Sequence, residues 1–151
     1  MPVPLSLHFS LEELTWSDTA QRLGLDNTPS ETIIANLRDL AQLLEAVRAA
    51  LGYPLHITSG YRCDRLNTII GGSRSSRHML GLAADFVCPG FGRPAKAARA
   101  IVRSPLAFDQ LIYEHTWLHL GLPVPGDAPR RQVLTLHPPR EYVRGILERE
   151  A

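Results

Sequence analysis

His78 and Asp85 stand seven positions apart in Ser76-Arg77-His78-Met79-Leu80-Gly81-Leu82-Ala83-Ala84-Asp85, with a glycine between them. A second histidine follows in Trp117-Leu118-His119. Two imidazoles and one carboxylate are the smallest donor set for a zinc ion that keeps one position open for water. Such an ion lowers the pKa of water toward neutrality and polarises a carbonyl. Gly81 lets the chain bend so that His78 and Asp85 converge, and His119 is expected from a neighbouring hairpin strand. The same donors suit iron(II) on a two-histidine, one-carboxylate triad. Those oxygenases sit on a double-stranded β-helix, which needs more strands than this helix-rich chain offers, so zinc is the expected metal.

The elements that must position these residues can be read in chain order. Ser10 and Glu13 form a capping box, so a short helix starts at residue 10 or 11. A second covers Ser17 to Leu23 and stops at Gly24. Thr28-Pro29-Ser30-Glu31 predicts a helix capped at Thr28 with Pro29 at its first position. In that helix Ile33, Leu37, Leu40, Leu44, Val47 and Leu51 fall on one stripe, which is core. Gly52 and Pro54 end it. Leu55 to Thr58 alternates as a half-buried strand does, Ser59-Gly60-Tyr61-Arg62 is a turn, and a short helix runs from Asp64 to Ile70. Gly71 to Ser76 is a polar loop; it has neither the P-loop lysine nor the Rossmann glycine spacing, so it is no phosphate cradle. Ala84 to Cys88 is a strand and Pro94 opens a helix to Val102. Phe108–Tyr113 and Trp117–Leu120 form a hairpin, Gly121 to Arg130 a Pro/Gly-rich loop, Gln132 to Leu136 a strand, and Glu141 to Arg149 a terminal helix. Helices first and clustered strands later predict an α+β domain over 1–151. Its central, mainly antiparallel sheet should carry the N-terminal helices on it.

Composition narrows the function. A chain of 151 residues with net charge +1 has no broad field for nucleic acid. No apolar run approaches a membrane span, so no membrane insertion is expected. Met1 to Ser6 lacks the basic region and apolar core of a secretory signal, which predicts synthesis in the cytoplasm and delivery by another route. Cys63 and Cys88, the two cysteines, make no disulfide framework and read as thiols without catalytic work.

Several segments together resemble the D-Ala-D-Ala metallopeptidase family. These are Ser59-Gly60-Tyr61-Arg62, Asn67, Gly71-Gly72, Ser76-x-His78-x-x-Gly81-x-Ala83-Ala84-Asp85 and Trp117-x-His119. His8 to Leu14 and Asp26 to Pro29 are similar to its small branch, often phage or prophage, and the likeness covers roughly residues 8 to 136. The family includes zinc D-Ala-D-Ala carboxypeptidases, D-Ala-D-Ala dipeptidases and peptidoglycan endopeptidases, some of them phage lysins. The resemblance implies a Hedgehog/D-Ala-D-Ala-peptidase-like fold, zinc on His78, Asp85 and His119, and a peptidoglycan peptide as substrate. It also implies that Arg62 holds a substrate carboxylate or an oxyanion, a task suited to a rigid, always-charged fork. Ser76 would lie beside the substrate, and Asn67 and Tyr61 would pin the turn.

Relatives often place the general base two or three positions before the last histidine. Here those positions are Trp117 and Thr116, and neither can serve. A hairpin argument points to Glu114 instead. If His115-Thr116 is a two-residue turn, Glu114 pairs with Trp117 and Ile112 with His119. Paired residues share a face, as do alternate residues along a strand, so Glu114 and His119 lie on one face as a diagonal pair. His115, in the turn itself, should point elsewhere. His8 and His137 read as surface residues and His56 as a packed core or edge histidine. The expected protein hydrolyses peptide bonds of bacterial cell wall, as carboxypeptidase or endopeptidase, acting in the periplasm or outside the cell. The loop from Gly121 to Arg130 is expected to decide whether the cleft is closed. The residues leave open a second reading: a non-catalytic metal-containing module that binds cell wall or builds a phage particle.

Overall fold

The computed structural model describes residues 2–148. Helices α1 (Leu11–Thr15), α2 (Asp18–Leu23) and α3 (Glu31–Leu51) come first, followed by β1 (His56–Ser59) and α4 (Asp64–Ile69). A 3-10 turn (Arg77–Leu80) leads into β2 (Ala83–Val87) and α5 (Pro94–Arg103). The remaining strands are β3 (Gln110–Tyr113), β4 (Leu118–Gly121), β5 (Gln132–His137) and β6 (Glu141–Arg144).

Hydroxyl caps set the helix starts. Ser10 Oγ accepts from the Glu13 N–H, Ser17 Oγ from Ala20 and Ser30 Oγ from Ile33. Each satisfies a donor that has no partner inside its helix. The cap of α3 is thus Ser30, not Thr28, and Pro29 precedes the helix. Thr28 is instead drawn into a local turn, donating its N–H to the Asp26 carboxylate. The predicted stripe of α3 holds: Leu37, Leu40, Leu44, Val47 and Leu51 are buried, with Ile33 half-buried near the helix start.

The strands form one sheet in the order β1-β2-β4-β3-β5-β6. It is mixed: β3 and β5 run parallel, and the other neighbouring pairs are antiparallel. The reason lies at the lower edge of β3. Strand β4 ends at Gly121, opposite Gln110, where β3 begins. The following loop crosses beneath that point and is tied to it, with Arg131 N–H on Phe108 O and Gln132 N–H on Asp109 O. The chain therefore enters β5 heading the same way as β3.

Strand β6 stands where a terminal helix was expected. It pairs with β5 and stops at Gly145, whose φ is +84°. Thr135 Oγ donates to Gly145 O and accepts from the Leu147 N–H, which fixes this end against β5. Arg149, the expected end of that helix, lies outside the described residues.

The two faces of the sheet differ. Ala84, Phe86, Leu111, Tyr113, Leu118 and Leu120 join α3 and α5 residues in one core cluster. The residues alternating with them, Asp85, Ile112 and His119 among them, line a cleft. No helix among the described residues is long and apolar enough to cross a membrane.

Candidate metal centre

Asp85 on β2 and His119 on β4 are direct cross-strand partners. Ile112 on β3 pairs with His119, and Ser59 on β1 with Asp85. Paired residues share a face, so these four form a row across the open side of the sheet. His78 reaches the row from the 3-10 turn. Its Nδ1 lies 2.7 Å from Gly60 O. A carbonyl only accepts, so Nδ1 carries the proton and Nε2 is left as a donor atom for a metal.

Two glycines make this approach feasible. Gly81 has φ +70°, and a Cβ there would lie 2.9 Å from Ile33 Cγ2 and 3.0 Å from Ile33 O. Its turn is thus both left-handed and pressed onto the start of α3. A Cβ on Gly60 would lie 2.2 Å from Leu14 O. That closeness seats Tyr61 N–H on Leu14 O at 2.7 Å, while Gly60 O steadies His78.

The donor set fits zinc. His78 Nε2 lies 3.2 Å and His119 Nδ1 2.9 Å from Asp85 Oδ1, and all three donor atoms lie within 4.8 Å of one another. Donors bonded at about 2 Å to one tetrahedral ion are separated by about 3.3 Å. Burial pushes the His78 pKa down against the pull of Asp85, favouring the neutral imidazole that a metal requires. For Asp85 burial acts upward, but His78 and His119 outweigh it and hold the carboxyl well below the usual range, so it is ionised.

Arg62 borders these residues. Its Nη2 donates to Asp85 Oδ2 at 3.5 Å, its Nε to Ser59 Oγ at 3.1 Å and its Nη1 to Asn67 Oδ1 at 3.4 Å. Burial lowers its pKa, opposed by Asp85 and Glu114, and a guanidinium keeps its charge under such a shift. Asn67 is itself buried and donates to Ser73 O, joining Arg62 to the polar loop. Ser76 lines the cleft and accepts the His78 N–H, so it caps the 3-10 turn that carries a candidate ligand.

Glu114 lines the same cleft. The hairpin has the expected register: Ile112 pairs with His119, and Glu114 N–H donates to Trp117 O. Burial and Asp85 push the Glu114 pKa up, while His119, the Trp117 N–H and Arg62 oppose them. The Trp117 indole donates to its Oε2 at 3.1 Å. His115 adopts φ +67°, hydrogen-bonds Leu136 O at 2.7 Å through Nε2, and packs on buried Tyr113. His8 is paired with Glu45, and His56 is exposed on edge strand β1, not packed in a core.

Sequence reasoning missed several cleft residues. Trp16, Gln110, Gln132 and Tyr142 line it together with Arg62 and Trp117. The signal for Gln110 was present, because it alternates with Ile112 on β3 and with Glu114 just after it. Asp109 was missed as well. It is buried, and its carboxylate receives the Arg130 main-chain and guanidinium N–H groups and Arg77 Nη1. Arg77 adjoins His78, so this cluster holds the 3-10 turn against β3. The loop from Gly121 to Arg130, expected to decide whether the cleft is closed, does not line the cavity at the three donors; Asp109 holds its end elsewhere.

Among curated proteins none matches the chain. A family model described as Peptidase M15 matches residues 7–121, from just before α1 to the end of β4, and so includes Arg62, His78, Asp85, Glu114 and His119. The match spans most of the chain, and the chain belongs to the Peptidase M15 family, the D-Ala-D-Ala metallopeptidases.

Proposed function

We propose that the protein is a zinc-dependent peptidase, one domain over residues 1–151, that hydrolyses peptide bonds of bacterial peptidoglycan at the cell wall. Membership of a zinc-peptidase family supports the reaction class. The observation that carries the proposal is the meeting of His78, Asp85 and His119 donor atoms within 4.8 Å in a cleft shared with Arg62 and Glu114. Zinc, when bound, supplies Lewis acidity toward a carbonyl and toward water.

The chain's own groups do the rest. Gly60 O holds His78 in one tautomer, and Arg62 holds the second oxygen of Asp85. The remaining N–H groups of Arg62 face a substrate carboxylate or the oxyanion that develops on the scissile carbonyl. Glu114 accepts the proton of the attacking water and returns it to the amide nitrogen as the C–N bond breaks. The products are one carboxylate and one amine. Trp117 holds Glu114 Oε2, which leaves Oε1 as the proton acceptor.

Metal analysis and digestion of purified peptidoglycan test this reading. Wild type is expected to hold one zinc per chain and release peptides. His78→Ala and Asp85→Ala are expected to lose both metal and activity. Full hydrolysis by His78→Ala would reject the proposal. Zinc without any hydrolysis in wild type would favour a binding module.

A further inference from the structure

The cleft does not end at the three donors. On one side it continues as a cavity of about 350 Å³ bounded by Trp16, Thr58 and Trp117. The donors themselves line a cavity of about 670 Å³ that is also lined by Gln110, Gln132, Ser76 and Tyr142. Arg62, Asp85 and Trp117 line both cavities, so the two arms meet at the candidate metal centre. Both cavities fall in the size range of a ligand pocket.

A site that removes one terminal residue needs a stop just past the scissile bond, with a cation to receive the terminal carboxylate. Arg62 is the cation in this cleft that is fixed by three side chains, and it stands at the junction of the arms. Each arm carries fittings for chain beyond the bond. In the smaller one, Trp16 is 57% exposed, with its indole N–H held by Asp18 Oδ1 at 2.8 Å. A large aromatic ring, pinned by its polar edge and open to solvent, is the kind of side chain that anchors a bound chain. In the larger arm, Gln110 Nε2 donates to Gln132 Oε1 at 2.8 Å. That leaves an amide oxygen on Gln110 and an amide nitrogen on Gln132 to pair with a peptide group.

We infer, resting on the peptidase reading above, that the cleft holds a peptide running through it and that the protein is an endopeptidase. Trp16 is a specificity-determining residue that grips the substrate outside the bond being cut. The Gln110–Gln132 pair holds its backbone on the far side.

The test uses the zinc-loaded full chain and two peptides containing the bond that mass spectrometry identifies in digested peptidoglycan. One peptide ends a single residue past that bond; the other extends two residues on each side. The extended peptide is expected to show kcat/KM about tenfold higher. Trp16→Ala removes that advantage by raising KM for the extended peptide more than for the short one, and Trp16→Phe restores most of it. Equal or faster cleavage of the short peptide, or an unaltered KM in Trp16→Ala, overturns the inference and leaves the peptidase reading standing. If zinc-loaded wild type cuts neither peptide nor peptidoglycan, both fall together.

Discussion

A carboxylate that must take a proton near neutral pH works best when its pKa lies closer to that pH. Glu114 is placed for this: burial and Asp85 raise it, while Arg62 and the Trp117 N–H limit the rise. Glu114→Gln should therefore retain zinc and lose about 10²- to 10⁴-fold in kcat. A base at Glu114 would work ionised, so wild-type kcat/KM should climb with pH through an acidic limb. The residual activity of Glu114→Gln should lack that limb. The same limb in the variant, or loss of its metal, would move the base elsewhere. The meeting of His78, Asp85 and His119, and the place of Glu114 in the same cleft, were legible because residue type and strand parity are local properties. Trp16 was not: an aromatic after a short helix reads the same whether it is packed or exposed. Its companion Trp117 lies far along the chain.

The helices were legible for a related reason. A serine cap, a glycine stop and a stripe of leucines are written within one turn or a few, as in α2 and α3. Glu141 to Arg149 shows the limit. Tyr142, Val143, Ile146 and Leu147 fit a helical spacing, yet their segment begins as β6 because β5 offers an unpaired edge and Thr135 holds both Gly145 and Leu147. An edge made by another strand leaves no trace in the segment that fills it. The parallel β3–β5 pairing was hidden in the same way. The turn at Gly81 was legible as a bend, but not as a close contact with Ile33. Gly81→Ala forces a left-handed conformation on a residue with a Cβ and pushes that Cβ into α3. It should destabilise the protein by about 2–4 kcal/mol, measured by denaturant unfolding of chelated protein. It should also weaken zinc binding, because His78 and Asp85 flank the turn. An unfolding midpoint equal to that of wild type would contradict this account.

The fold separates its two tasks. The side of the sheet facing α3 and α5 is apolar and buried, and the opposite side carries the charged row. Outside that row, Asp109 is a buried carboxylate held by Arg130 and Arg77. The Arg130 hydrogen bonds, helped by the charges of Arg130 and Arg77, hold its pKa below the usual value against the effect of burial. A carboxyl depressed in the folded state stabilises above its unfolded pKa, about 3.9 for aspartate, and loses that contribution as pH falls through the lower folded value. Asp109→Asn should thus be less stable than wild type at pH 7, by about 2–4 kcal/mol for a buried carboxylate with charged partners. The gap should persist down to about pH 4 and close below it. Chelated samples compared by urea unfolding would show this; a gap that stays constant into acid would assign the loss to packing.

The pairing of Asp85 with His119 has a consequence for how this chain can vary in length. Removing one residue from the tight connection between β3 and β4 would reverse the parity of every later position on β4, sending the His119 imidazole among the leucines. The proline-rich stretch at 123–129 lies beyond Leu122, which is tied to Leu82 and Arg77, and before the Arg130 tether, so it is where the chain can lengthen or shorten. Insertions should accumulate there and be purged from the hairpin tip.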